Sequence, residues 1–346
     1  MRQQFPLKDI ARQAGVGLAT VDRVIHRRDG VRFATEQRVR QAIDELSRQT
    51  LEATAAGRRL VVDLVMDAPS RFTAAVRDAL EAELPALLPA ALRVRAHLSE
   101  TAEPAEMAAT LSRIARRGSH GVLLKAPDHK LVRAAVAGLA AARIPVVTLV
   151  TDLPGTSRLF YVGLDNRAAG ATAAWLLATA LDARGSGGTG AVLLTLSSHR
   201  FLGEEQREAG FRETLSGLAP RLAVVDASEG RGIDRETGAR VRNALLAEPA
   251  IVAVYSAGGG NRAIAAAFAA LERPCRCFVA HDLDAENRDL LRNGTVDAVL
   301  HHDLRHDMRQ ACRAILSAHR ILPRGTPPVR SAISIVSRYN MPDDLP

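Results

Sequence analysis

The rhythm of apolar and polar positions changes once along this chain, near residue 60. Before that point apolar residues recur at helical spacing in three short stretches. Ile10, Ala11 and Ala14 form a stripe that Gly15 ends; Val21, Val24 and Ile25 form a second over 18–26; Val39, Ala42, Ile43 and Leu46 form a third over 35–47. Spacings of three and four place each set on one helix face. Pro6 fits a first helical turn, where its missing N–H costs nothing, and Asp29-Gly30 marks a turn. From Leu60 onward, continuous apolar runs alternate with helical stretches. The runs are LVVDLVM (60–66), LRVRAHL (92–98), GVLLKAP (121–127) and IPVVTLV (144–150). A second series follows: AVLLTLS (191–197), LAVVDAS (222–228), IVAVYSA (251–257) and CFVAHDL (277–283). Helices are predicted near 72–84 and 104–117, between 127 and 144, and near 168–183. Strands without polar alternation, separated by helices, read as parallel sheets covered on both faces. Two series imply two similar α/β lobes, so the expected fold class is an α-helical headpiece followed by two Rossmann-like parallel α/β lobes. Such sheets bind ligands at the carboxyl ends of their strands, which makes the cleft between lobes the expected site.

Charge sharpens the division. The chain has 346 residues, 46 Lys+Arg and 38 Asp+Glu, and residues 1–59 hold twelve of the basic side chains against seven acidic ones. A locally basic tip ahead of a nearly neutral body points to nucleic acid as a partner. An apolar content of 47% excludes a wholly disordered chain. No uncharged apolar run approaches the ~18–20 residues of a membrane span. The first residues lack a secretory apolar stretch, and three cysteines form no disulfide framework, so a cytoplasmic location with reduced thiols is expected.

Gly15-Val16-Gly17 joins the first two predicted helices, and Ala11, Gly15 and Val21 have helix-turn-helix spacing: a small residue at the contact, a glycine for the turn, a β-branched residue to pack the second helix. The stretch DIARQAGVGLATVDRVIHRRDGV resembles the DNA-binding domain of LacI-type transcriptional regulators. The resemblance implies that the second helix enters the major groove of double-stranded operator DNA, with Leu18, Ala19 and Arg23 as base readers. Arg23 is the informative one, since a guanidinium can grip guanine O6 and N7 for ~1–3 kcal/mol of discrimination. Leu18 and Ala19 are limited to apolar contacts, and Thr20 and His26 are expected on phosphates. The chain departs from the pattern at Pro6 and Arg32, where the family usually has hydroxyl residues. It also departs at Asp22, an acid facing a phosphate-lined groove, expected to pair with a neighbouring arginine.

The expected domains are a headpiece over 1–47, a linker over 48–59 and a two-lobed effector and dimerisation domain over 60–340. The linker lacks the proline usual in the family. It is expected to be a plain tether, with Leu51 the available apolar residue for a minor-groove wedge. The large domain resembles the effector domain of the same regulators and ribose-type periplasmic binding proteins (the type I fold), through IPVVTLVTD, YVGLDNRAAG, HRFLGEEQREAGF, YSAGGGNRAIAAA and HDLDAENRDLLRNGTVDAVLHHD. The resemblance implies a homodimer and a small effector, a sugar or sugar derivative, whose binding alters the lobe angle. Position by position it implies Phe72, Lys125, Asp152, Arg207, Asn261, Asp282 and His302 as effector-binding residues. Lys125 and Arg207 together raise the expectation of an acidic effector, a sugar acid or sugar phosphate.

Other chemistries fit less well. GGGN (258–261) matches neither GxGxxG nor GxxxxGK[ST]. HHDLRHD (301–307) would hold a metal if His302 and His306 shared a helical face, which the family register disfavours. No nucleophile arrangement has diagnostic spacing. No enzyme activity, cofactor or metal is therefore expected. The sequence predicts a DNA-binding regulator, expected to be a repressor; a cytoplasmic sugar-binding protein or sugar-modifying enzyme on the same fold is the alternative.

Overall fold

The computed structural model describes residues 5–26, 28–55, 59–87, 90–183, 190–322 and 329–342. The tip is three helices: α1 (Leu7–Ala14), α2 (Leu18–Ile25) and α3 (Phe33–Ala55). Gly15 ends α1 in the left-handed region, φ 63°, and its N–H closes back on Ala11 O. That conformation is cheap for glycine and costly for other residues, which is why the turn falls there. Ile10, Ala11, Ala14, Val21, Val39 and Ala42 form a separate small core. The third helix is longer than its sequence pattern predicts. It continues through position 55, so most of the expected tether is helix; no helix breaker occurs between Ser47 and Gly57, and Ala, Gln, Glu and Leu favour continuation. The side chain of Leu51, and Arg58 altogether, lie outside the described residues.

Lobe 1 is a parallel five-stranded sheet in the order β2-β1-β3-β4-β5, built from β1 (Arg59–Asp67), β2 (Ala91–Ser99), β3 (Gly121–Lys125), β4 (Val146–Leu149) and β5 (Phe160–Val162). Helices α4 (Ser70–Glu83), α5 (Pro104–Arg117) and α6 (Lys130–Ala141) cross between them. Lobe 2 has helices α7 (Asn166–Ala183), α8 (Leu202–Leu218), α9 (Asp234–Ala247), α10 (Asn261–Ala270) and α11 (Ala285–Arg292). Its strands are β6 (Gly190–Thr195), β7 (Leu222–Asp226), β8 (Ile251–Ser256), β9 (Cys277–His281) and β10 (Ala298–His301), with β11 (Ser334–Val336) antiparallel at the edge. The order is β11-β10-β9-β8-β6-β7. Short β5, β10 and β11 were not predicted; three or four residues carry too little periodicity to register.

The remaining helix, α12 (Leu304–Ala318), follows lobe 2 in sequence but packs in lobe 1, where Met308, Ala311, Cys312 and Ile315 join the core beneath β1 and α4. Glu83 of α4, 1% exposed, is clamped by Arg305 (2.9 Å) and Arg309 (2.5 Å) of this helix. The chain therefore passes between lobes three times: after β5, after β10 and before β11. Two of these passages touch, Ser331 N–H donating to Gly163 O at 3.0 Å. No helix among the described residues is long and apolar enough to cross a membrane.

Candidate functional site: the recognition helix and the interlobe cleft

On the tip, α2 packs Val21 inward and turns Leu18, Ala19, Arg23 and His26 to solvent, with Thr20 half-buried. Leu18 is 54% exposed. Asp22 is held by Arg28 (3.0 Å) and His26 (3.4 Å), as its expected pairing with an arginine requires. Its charge is thereby neutralised beside Arg23, which forms no ion pair among the described residues. Arg27 lies outside them. The face is a short helix with an apolar start, a free guanidinium and a basic flank.

The second site is the cleft at the carboxyl ends of both sheets. Phe72, Lys125, Arg207, Asn261 and Asp282 all line it, drawn from five separate segments. Lys125, at the end of β3, donates to Asp67 O at 2.8 Å and lies 3.8 Å from the centre of the Phe201 ring on lobe 2. Burial pushes its ammonium pKa down, against the pull of Glu204 and Asp67. Glu204, one turn before Arg207 on α8, accepts from Ser197 N–H and Oγ–H, both at 2.5 Å; burial pushes its carboxyl pKa up, opposed by Lys125. Arg207, 3% exposed, donates Nε–H to Asn166 Oδ1 (2.8 Å) and Nη1–H to Ala257 O (3.0 Å). Asp282 adopts φ 65°, a strained conformation for a residue with a Cβ, though aspartate tolerates it better than most.

Two predicted residues do not line the cleft. Asp152 is captured six residues on by Arg158, through both carboxylate oxygens, and accepts from Thr148 Oγ–H at 2.8 Å; it shapes its own loop. His302 is 1% exposed and stands behind Asp282, its Nε2 3.8 Å from Asp282 Oδ1 and its Nδ1 2.5 Å from Asp307 Oδ2. His302 precedes α12 whereas His306 lies in its first turn, so the two share no helical face. Among the described residues a possible metal-holding cluster is His199, Glu208 and Asp226. It is solvent-facing, with Glu208 bound to Arg212 at 2.6 Å.

Sequence reasoning missed Arg71, Glu204, His281, Asp284 and Asn287. Arg71, from the first turn of α4, crosses the cleft to Asp284 (3.1 Å) and Gly232 O (2.9 Å). The GGGN run makes room for it: a Cβ on Gly259 would sit 1.8 Å from Arg71 Nη2, and one on Gly258 1.8 Å from Ser197 N. Gly259 serves close approach of lobe to lobe, and Gly258 close packing within lobe 2. Around the rim, Glu103 of lobe 1 meets Arg200 (3.4 Å) and Arg231 (3.5 Å) of lobe 2, and Gly203 N–H reaches Thr151 Oγ1 at 3.0 Å. The clamshell is closed. Glu204 and Asn287 were visible as polar residues on the cleft-facing turns of EEQREAGF and HDLDAENRD; Arg71 was not, because its partner lies 213 positions away.

Comparison with known proteins agrees with this division. Residues 63–319 match the family described as periplasmic binding protein domain, and residues 6–48 match bacterial regulatory proteins, lacI family. No curated protein sequence matches. Among solved structures, the glucose-galactose binding protein GanP of Geobacillus stearothermophilus is similar at 18% identity and TM-score 0.71, covering 82% of this chain and 99% of that one. An arabinose binding protein, AraP, of the same organism is 20% identical with TM-score 0.65, covering 82% and 97%. A solute binding protein from Burkholderia graminis in complex with D-arabinose is 17% identical with TM-score 0.72, covering 84% and 98%. At these identities the likeness is one of fold.

Proposed function

Because the chain belongs to the periplasmic binding protein domain family, and carries a lacI-family headpiece that makes it a LacI-type DNA-binding regulator, we propose that it is a metabolite-controlled repressor. In this reading a homodimer sets two copies of α2 into successive major grooves of an operator. Leu18, Ala19 and Arg23 touch base edges, and Thr20 and His26 touch phosphates. A sugar or sugar derivative occupies the cleft among Phe72, Lys125, Arg207, Asn261 and Asp282. It binds one lobe arrangement more tightly than the other and so shifts their populations, with a coupling of order 1–3 kcal/mol.

The observation that carries the reading is the pairing, in one chain, of an exposed α2 bearing a free arginine with a closed cleft of buried polar side chains. The test is operator selection from the fragments flanking the gene, followed by binding titrations with the full chain. Affinity is expected to fall steeply with salt, as phosphate contacts release counterions, and to change when a cleft ligand is added. Arg207→Ala is expected to abolish that change while leaving operator affinity intact. Equal binding to operator and scrambled duplex would remove the regulatory reading.

A further inference from the structure

We propose that the effector carries a primary ammonium group, as an amino sugar does, seated on the lobe 2 wall against Asp282 and Asn261. This rests on reading the cleft as the effector site. Three buried polar atoms of cleft-lining residues have no partner among the described residues: Asn261 Oδ1, His281 Nδ1 and Asp282 Oδ1. The sense of two is fixed. Asn287 spends its Nδ2 hydrogens on His281 O (2.8 Å) and Asp282 O (2.6 Å), so its Oδ1 must accept from Asn261 Nδ2 (2.7 Å). That turns Asn261 Oδ1, an acceptor, outward. Asp282 Oδ1 is an acceptor by nature. The wall therefore offers acceptors.

Each cation of the cleft already has a protein partner. Arg71 holds Asp284, Lys125 is bound to Asp67 O beneath Phe201, and Arg207 is bound to Asn166 and Ala257. Glu204 is engaged by Ser197 and Asp67 by Ala102 N–H. Asp282 keeps an open carboxylate oxygen, with His302 the basic group within ion-pair distance. An ammonium brings three donors and a charge opposite to that of Asp282, whereas a hydroxyl brings one donor and no charge. A ligand carboxylate or phosphate set against Asp282 and Asn261 would meet acceptors.

The experiment is calorimetry on the full chain with matched probes: glucosamine, galactosamine and mannosamine; their parent hexoses; their N-acetyl derivatives; and glucuronate and glucose 6-phosphate. The pH is one at which the amines are protonated. At least one free amine is expected to bind roughly tenfold or more tighter than its parent hexose, a preference of charge-assisted origin. Asp282→Asn, which suits the same backbone conformation, is expected to erase the preference of the amine over its parent hexose. Equal or tighter binding of a neutral, acetylated or acidic probe overturns the ammonium assignment and leaves the sugar reading standing. Failure of every probe to bind, or to alter operator affinity, overturns both.

Discussion

Asp22 and Arg23 are neighbours on α2 with different fates. Arg28 and His26 hold the acid, and the guanidinium stays free. Arg23→Ala is therefore expected to relax specificity at one base pair per half-site at a cost of ~1–3 kcal/mol, read by binding to a library of single-position operator variants. An unchanged preference at every position would remove Arg23 from the readout. Cleft residues were legible in the sequence where they end a strand and face the gap, as Lys125 and Asp282 do. Asp152 was misread because a local partner, Arg158, satisfies it before the cleft can. A second test concerns His301, which burial, followed by repulsion from His302, holds down to about 4 from an ordinary 6.5. The unfolded chain takes that proton near 6.5 while the folded chain refuses it. The stability tied to this residue is thus intact above pH 6.5 and declines as pH falls toward 4, by about 1–3 kcal/mol. His301→Gln, which keeps an acceptor for Leu283 N–H, is expected to flatten the acid side of the melting-temperature curve relative to the native chain.

At the scale of elements, the tightest contact is between α7 and α8. A Cβ on Gly170 would lie 1.9 Å from Arg207 O, and one on Gly210 2.0 Å from Arg167 O. Each helix lays a glycine against the other's backbone, and the carbonyl touched belongs to Arg207 itself. Gly170→Ala is expected to push the helices apart, lowering stability by about 1–3 kcal/mol and displacing the cleft arginine. Thermal unfolding and effector titration read the two effects; a normal effector response with unchanged stability would deny the coupling. The stretches YVGLDNRAAG and HRFLGEEQREAGF around these positions were in view, but which helices meet is set by topology, which periodicity does not encode. The third helix shows the converse. Its extension through position 55 follows from local propensity, whereas the expectation of a tether came from the absence of the proline usual in the family.

At the scale of the molecule, closure is held by contacts of unequal weight, the backbone bond from Asp128 N–H to Arg200 O (3.0 Å) among them. Arg71 alone joins α4 to both Asp284 and Gly232, half-shielded from solvent, while the Glu103 pairs sit on an exposed rim where ion pairs contribute little. Arg71→Ala is expected to shift the population toward open lobes by roughly an order of magnitude. A larger radius of gyration in solution scattering would report it; identical curves with and without the substitution would place the latch elsewhere.

The three passages between the lobes also govern the order in which the molecule can be finished on the ribosome. The tip's core is complete within residues 10–42. Lobe 1 waits for α12, and lobe 2 for β11, at the far end of the chain. At about 5–20 residues per second, tens of seconds of translation separate the first event from the last. A stop codon falling just before α12 would release a polypeptide with an intact DNA-reading tip and two unfinished lobes. Such a fragment would keep the reading helix and lose the domain that pairs two tips and senses a metabolite, so premature termination in this gene is expected to abolish regulation even where the tip itself folds.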